Sequence, residues 1–149
     1  MVSIEVPDHY GWVILGAGIA PVVTNLLLSG FVMSARKQHN VGYPNLYAVP
    51  GFHKNADDFN RVQRGHQNYM ELTDGYAIMT LIGGLKHPIA CAIGTATYCV
   101  GCYLYLLGYK DDTLDVKTAR YKKGGGIKFI GFFTSLISCA KLAYDLISA

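Results

Sequence analysis

GWVILGAGIAPVVTNLLLSGFVM, residues 11–33, runs for 23 positions without a charged side chain. As a helix it reaches about 34 Å, enough to cross a hydrocarbon core of roughly 30 Å. Pro21 lies inside the run, and membrane helices tolerate proline better than soluble ones do. A secretory signal peptide fits poorly: Glu5 and Asp8 precede the run in place of a basic region, and the run is too long. The stretch predicts a membrane span.

The rest of the chain agrees. Its 149 residues leave room for one domain, 1–149. They are 51% hydrophobic and 15% charged, against about 25% charged in soluble domains. Residues 88–109 form a second uncharged run, and residues 127–147 a weaker one interrupted by Lys128, Lys141 and Asp145. A fourth candidate, roughly 60–85, is apolar only in its second half. The expectation is an all-α, integral membrane four-helix bundle with spans near 11–33, 60–85, 88–109 and 127–147. Pro88 suits the first turn of its helix, where a missing N–H costs nothing.

A net charge of +3 is too small to argue for a nucleic-acid partner, so the distribution of charge carries more information. Arg36, Lys37, Lys54, Lys110, Lys117, Arg120, Lys122 and Lys123 fall in the first and third loops, whereas only Lys86 falls in the second. That bias places the first and third loops in the cytosol and both termini outside. The first loop is rich in Gly, Pro and Asn, which reads as an ordered turn region or a flexible linker. Cys91, Cys99, Cys102 and Cys139 all lie in predicted spans, where packing is the simplest role. A zinc site lacks a second pair or a histidine cluster, and a redox pair lacks an exposed, electropositive setting.

The polar stretch FNRVQRGHQNYMELTDG, residues 59–75, stands against this background. On a helical wheel Asn60, Arg61, Arg64, Gln67, Asn68 and Glu71 share an arc of about 120°, with Val62 and Tyr69 opposite. One reading is an interfacial helix with its polar face in water. The other is a binding site, because ionisable groups this close to an apolar run are costly unless paired or facing a polar cavity. Arginines, an asparagine and a carboxylate suit a small zwitterion: Arg matches carboxylates, Glu pairs with an ammonium, and Asn reads a peptide amide. Tyr98, Cys102, Tyr105 and Tyr109 step along one face of the third helix. They read either as an aromatic belt or as phenols facing the same cavity.

The stretch Phe59–Glu71 resembles the second-helix signature of the MAPEG superfamily, membrane-associated proteins in eicosanoid and glutathione metabolism. The pattern is most like that of the type 3 microsomal glutathione S-transferases, F-N-x-x-Q-R-x-H-Q-N-x-x-E. Similar stretches are YGWVIL at 10–15, ARK at 35–37, VGYPNLY at 41–47, GGLKHP at 83–88 and YLLGY at 105–109. The resemblance covers roughly residues 8–130. It implies a homotrimer that binds glutathione between subunits near the cytosolic side. Arg64, Asn68 and Glu71 would hold the glutathione backbone, Tyr105 and Tyr109 would reach in from the third helix, and Arg36 would meet a carboxylate. Arg120 would be the arginine that activates the thiol. Glutathione is then the cosubstrate, no metal is required, and the second substrate is a lipophilic molecule entering from the lipid bilayer.

The chain also departs from that pattern. Leu72-Thr73-Asp74-Gly75 replaces an aromatic or aliphatic residue followed by proline, and Lys37 stands where many relatives carry a second arginine. The loop after Tyr109 is long and acidic, so Lys117, Lys122 and Lys123 rival Arg120. The resemblance implies a glutathione transferase or glutathione-dependent peroxidase in the endoplasmic reticulum, with a mitochondrial membrane as the alternative. Two other functions compete: a non-catalytic lipid-presenting protein of the same fold, and a structural subunit of a larger membrane complex.

Overall fold

The structure is a computed structural model that describes residues 5–149. Helix α1 (Tyr10–Ile14) passes through a π turn (Leu15–Ile19) into α2 (Ala20–His39), forming one rod of 30 residues. The π turn has a local cause. Pro21 has no N–H for the Ala17 carbonyl, and the wider register, with Ala20 N–H reaching back to Leu15 O, absorbs the defect. The Tyr69 hydroxyl then donates to the Pro21 carbonyl at 2.6 Å. Arg36 and Lys37 sit in the last turn of α2, where cations suit the helix dipole, and Asn40 ends it in a left-handed conformation. The first loop therefore begins at residue 40 rather than 34.

Helix α3 (Ala56–Gly84) is 29 residues long, roughly 44 Å. Asp57 and Asp58 occupy its first turn, at the positive end of the dipole. It runs unbroken through Leu72–Gly75, the segment where the resemblance implies a proline. Helix α4 (Pro88–Tyr109) opens on Pro88 as expected. The short α5 (Ala119–Lys122) and a 3-10 turn (Gly125–Ile127) lead into α6 (Lys128–Ser148). No strand occurs among the described residues.

Three helical segments, Tyr10–His39, Pro88–Tyr109 and Gly125–Ser148, are long and apolar enough to cross a membrane. Helix α3 does not join them, because its first half carries the polar stretch. It packs instead against α2, α4 and α6, and α4 packs against α6. Large apolar side chains such as Trp12, Val22, Leu26, Ile93, Ile130 and Ile137 point outward, the arrangement that lipid or another apolar surface demands.

The interior mixes aromatic packing with short polar links. Tyr76 and Tyr98 stack with ring centroids 3.8 Å apart, beside Leu28, Tyr69, Cys102 and Leu106. The Tyr76 hydroxyl donates to Thr95 Oγ1 at 3.0 Å, and Thr80 Oγ1 lies 2.8 Å from Ser135 Oγ. Tyr98 thus belongs to this core and not to a ligand cavity, which divides the tyrosine row of α4 into two functions. All four cysteines are free, and Cys91 and Cys102 are buried packing residues. At the far end Lys86 forms an ion pair with Asp145, which accounts for one of the charges that interrupt the last span.

Candidate functional site

The loop end of the molecule gathers most of the candidate residues, but it uses them in different ways. Asn60 holds the first loop through both halves of its amide: Oδ1 accepts from Ala48 N–H at 2.8 Å and Nδ2 donates to Ala48 O at 3.0 Å. Tyr47 donates to Gln67 Oε1. His66 stands between Asn25 Oδ1 at 2.8 Å and Ser29 Oγ at 3.3 Å on α2. The first loop is therefore an ordered turn region docked on α3.

Arg61 does the same for the third loop. Its Nε donates to Tyr109 O at 2.6 Å, and its Nη2 to Asp111 O at 2.5 Å and Leu114 O at 3.0 Å. One guanidinium thus gathers the last carbonyl of α4, which has no helical partner, and two carbonyls of the loop that follows. Within the loop Lys123 pairs with Asp111 at 2.7 Å. That contact, with hydrogen bonds from Thr113, pulls the Asp111 carboxyl down to about 2.

Arg64, one turn further along α3, is placed differently. Its Nη1 meets Glu71 Oε1 at 2.5 Å, and the two side chains are 42% and 43% exposed. Arg64 also lines an open cleft of about 630 Å³ with Tyr47, Asp57, Asn60, Arg61, Tyr109 and Val116. An exposed pair of this kind contributes little to stability and is free to exchange partners.

Beside the cleft lies a second group. Asn68 Oδ1 accepts from Lys128 Nζ at 2.5 Å, and the ammonium sits 3.8 Å from the centroid of the Tyr105 ring. Tyr105 is buried and stacks on Tyr109, with centroids 5.8 Å apart. Arg120 comes from α5, with its guanidinium 5.2 Å from the Tyr121 ring and electrostatically coupled to Tyr105. Its Nε is buried without a hydrogen-bond partner, which is rare for an arginine and calls for an acceptor. Gly125 makes the close approach possible: a Cβ there would collide with Arg120 O and the Tyr105 backbone.

Arg64, Asn68, Glu71, Tyr105, Tyr109 and Arg120 therefore converge on one end of the molecule. Arg36 does not join them. Its Nη1 donates to Asn45 O at 2.8 Å and Val41 O at 3.3 Å, and its guanidinium lies 4.5 Å from the Tyr43 ring. Of the other basic residues in the third loop, Lys117 and Lys122 are exposed and Lys123 is held by Asp111. Arg120 is the one that abuts Tyr105.

The MAPEG family's sequence model matches residues 14–147, nearly the whole chain. This chain belongs to the MAPEG family. The match and the three apolar helices together make it an integral membrane protein. Family membership is consistent with a role in glutathione or eicosanoid metabolism.

Lys128 is the member of this cluster that sequence reasoning missed. It read as a charge interrupting the last span, yet it is 2% exposed and holds Asn68. The signal was its position. It lies in the first turn of α6, two residues after the KKGGG stretch, at the same end as Arg120.

Proposed function

We propose that this MAPEG protein is a glutathione transferase with glutathione-dependent peroxidase capacity, acting on lipophilic electrophiles or lipid hydroperoxides. The observation that carries this reading is the convergence of Arg64, Glu71, Asn68 and Arg120 beside an open cleft, with Arg120 Nε lacking an acceptor. The reading places a four-helix bundle in the endoplasmic reticulum membrane as a homotrimer, with the first and third loops in the cytosol. Each site lies between two subunits.

The residues present fit glutathione chemically. Arg64 and Glu71 part to take a carboxylate and the ammonium, Asn68 reads a peptide amide, and Tyr109 lines the entrance. A thiol with a pKa of about 8.5 is only a few per cent ionised at pH 7. The Arg120 guanidinium stabilises the thiolate in a site of low dielectric constant. Lowering the thiol pKa by about two units corresponds to roughly 2.7 kcal/mol of preferential stabilisation. The thiolate sulfur attacks an electrophilic carbon, and the leaving group departs with its bonding pair. With a hydroperoxide it attacks oxygen instead. The O–O bond breaks, the alcohol leaves, and a second glutathione converts the sulfenic acid to a disulfide and water.

The test is turnover of a hydrophobic electrophile by the full chain in detergent or lipid at saturating glutathione. Conjugation by wild type that Arg120→Ala slows, without a matching loss of glutathione affinity, supports the assignment. A second reading, a lipid-presenting protein that conjugates nothing, draws on the Arg64–Glu71 pair, which leaves both charges mutually satisfied. Glutathione binding without conjugation or peroxide reduction would favour it.

A further inference from the structure

Lysine has a four-carbon stem and a strongly hydrated head, so it almost never disappears from solvent unless something holds the charge. Lys128 is 2% exposed, and it is held from two sides. Asn68 Oδ1 accepts one N–H at 2.5 Å, and the Tyr105 ring face lies 3.8 Å away. Gly101 lets α6 come this close to α4, since a Cβ there would collide with the Lys128 backbone. The close approach depends on the glycine at 101 and on the backbone at 128, so the Lys128 head group can be changed without replacing that contact.

The charges that bear on Lys128 are Arg64 and Glu71 from α3 and Arg120 from α5. From α4 come only neutral groups, the buried Cys102 thiol and the Tyr105 ring beneath the ammonium. Lys128, Arg64 and Arg120 thus lie around a single nearby carboxylate, Glu71, a surplus of two positive charges. An ordinary structural cluster would balance itself, as Lys86 and Asp145 do at the opposite end. A positive surplus beside an open cleft selects an anionic ligand.

We propose that Lys128 is a positioning and charge-balancing residue, fixing the Asn68 amide and making the pocket complementary to glutathione with its thiol ionised. That form carries two carboxylates, a thiolate and an ammonium, and its net charge of minus two matches the surplus. The thiol form carries one negative charge fewer. The inference rests on the glutathione reading above and adds to it a second cation that favours ionisation, supplied by α6 and not by the loop that carries Arg120.

The experiment compares wild type, Lys128→Met, Lys128→Gln and Lys128→Arg, each as the full chain in detergent. Glutathione and S-methylglutathione are titrated across pH, and bound thiolate is followed by its ultraviolet absorbance. The neutral variants should shift thiolate formation upward by about one pH unit and weaken glutathione roughly tenfold at neutral pH. S-methylglutathione, which has no thiol to ionise, should lose clearly less. Lys128→Arg should retain most of the wild-type profile. Lys128→Gln keeps a donor for Asn68, so a folded neutral protein is available if the methionine variant is unstable. A wild-type pH profile in a folded neutral variant overturns the role of Lys128 while leaving the glutathione reading intact. Equal losses for the two ligands do the same, because they mark a purely structural lysine. Absence of glutathione binding by wild type overturns both.

Discussion

Arg61 and Arg64 stand three residues apart on the same polar face of α3, and they have opposite fates. Arg61 donates to the last carbonyl of α4 and to two loop carbonyls and fastens the third loop to the helix end. Arg64 faces an open cleft and holds one exposed carboxylate. The first spends its Nε and Nη2 donors on three fixed backbone carbonyls and is structural. The second has a partner that can be exchanged, which is what a binding residue needs. The same division runs along the stretch: Asn60, His66 and Gln67 fasten neighbouring segments, whereas Asn68 is held by Lys128 and Glu71 by Arg64.

The sharpest way to break the comparison is Arg61→Ala. It should leave three carbonyls without their charged donor and destabilise the protein by ~3 kcal/mol, read as a lower unfolding temperature in detergent. An unchanged unfolding temperature would mean that Arg61 is not the fastening its geometry implies. Arg64→Ala should cost less than about 1 kcal/mol of stability but weaken glutathione roughly thirtyfold, the effect of losing one charge-assisted contact. Equal stability losses for the two variants would erase the distinction.

How much of this was legible in the sequence follows the same physics. Apolar length alone marked three of the long helices, because lipid imposes a length and forbids charge. The fourth was legible only as a wheel, since its polar half obeys neighbours and not solvent. The partners of Arg61 lie about fifty residues away, and no periodicity in α3 announces them. Arg36 looked like a ligand for a carboxylate by position, but the carbonyls of Val41 and Asn45 lie within its reach. Tyr98 shared a face with Tyr105 and Tyr109, yet depth along α4 put it in the core against Tyr76. Lys128 was hidden by the rule that found its helix: a charge in an apolar run registers as a flaw until its partner is known.

Smaller effects sharpen the boundary between site and loop. Arg120→Ala should lower turnover by about twentyfold at pH 7, the loss of thiolate expected if the thiol returns from a pKa near 6.5 to its ordinary 8.5. Raising the pH should recover much of that loss, and a pH-independent defect would assign Arg120 a different role. Asp111→Asn should have the smallest effect. The Asp111 carboxyl is depressed to about 2 by Lys123 and Thr113, so its contribution is complete above the ordinary carboxylate range and disappears as pH falls through about 2. Wild type should therefore lose slightly more thermal stability than Asp111→Asn between pH 5 and pH 2. Identical acid profiles would show that the pair does not stabilise the folded loop.

The central claim is that the exchangeable half of the polar stretch binds glutathione. Calorimetric titration of detergent-solubilised wild type and Arg64→Ala, with Arg61→Ala as the structural comparison, tests it most directly. The account predicts saturable binding by wild type at millimolar glutathione or below, and a large loss in folded Arg64→Ala. No binding by wild type at millimolar glutathione, or equal affinity in wild type and Arg64→Ala, would contradict it.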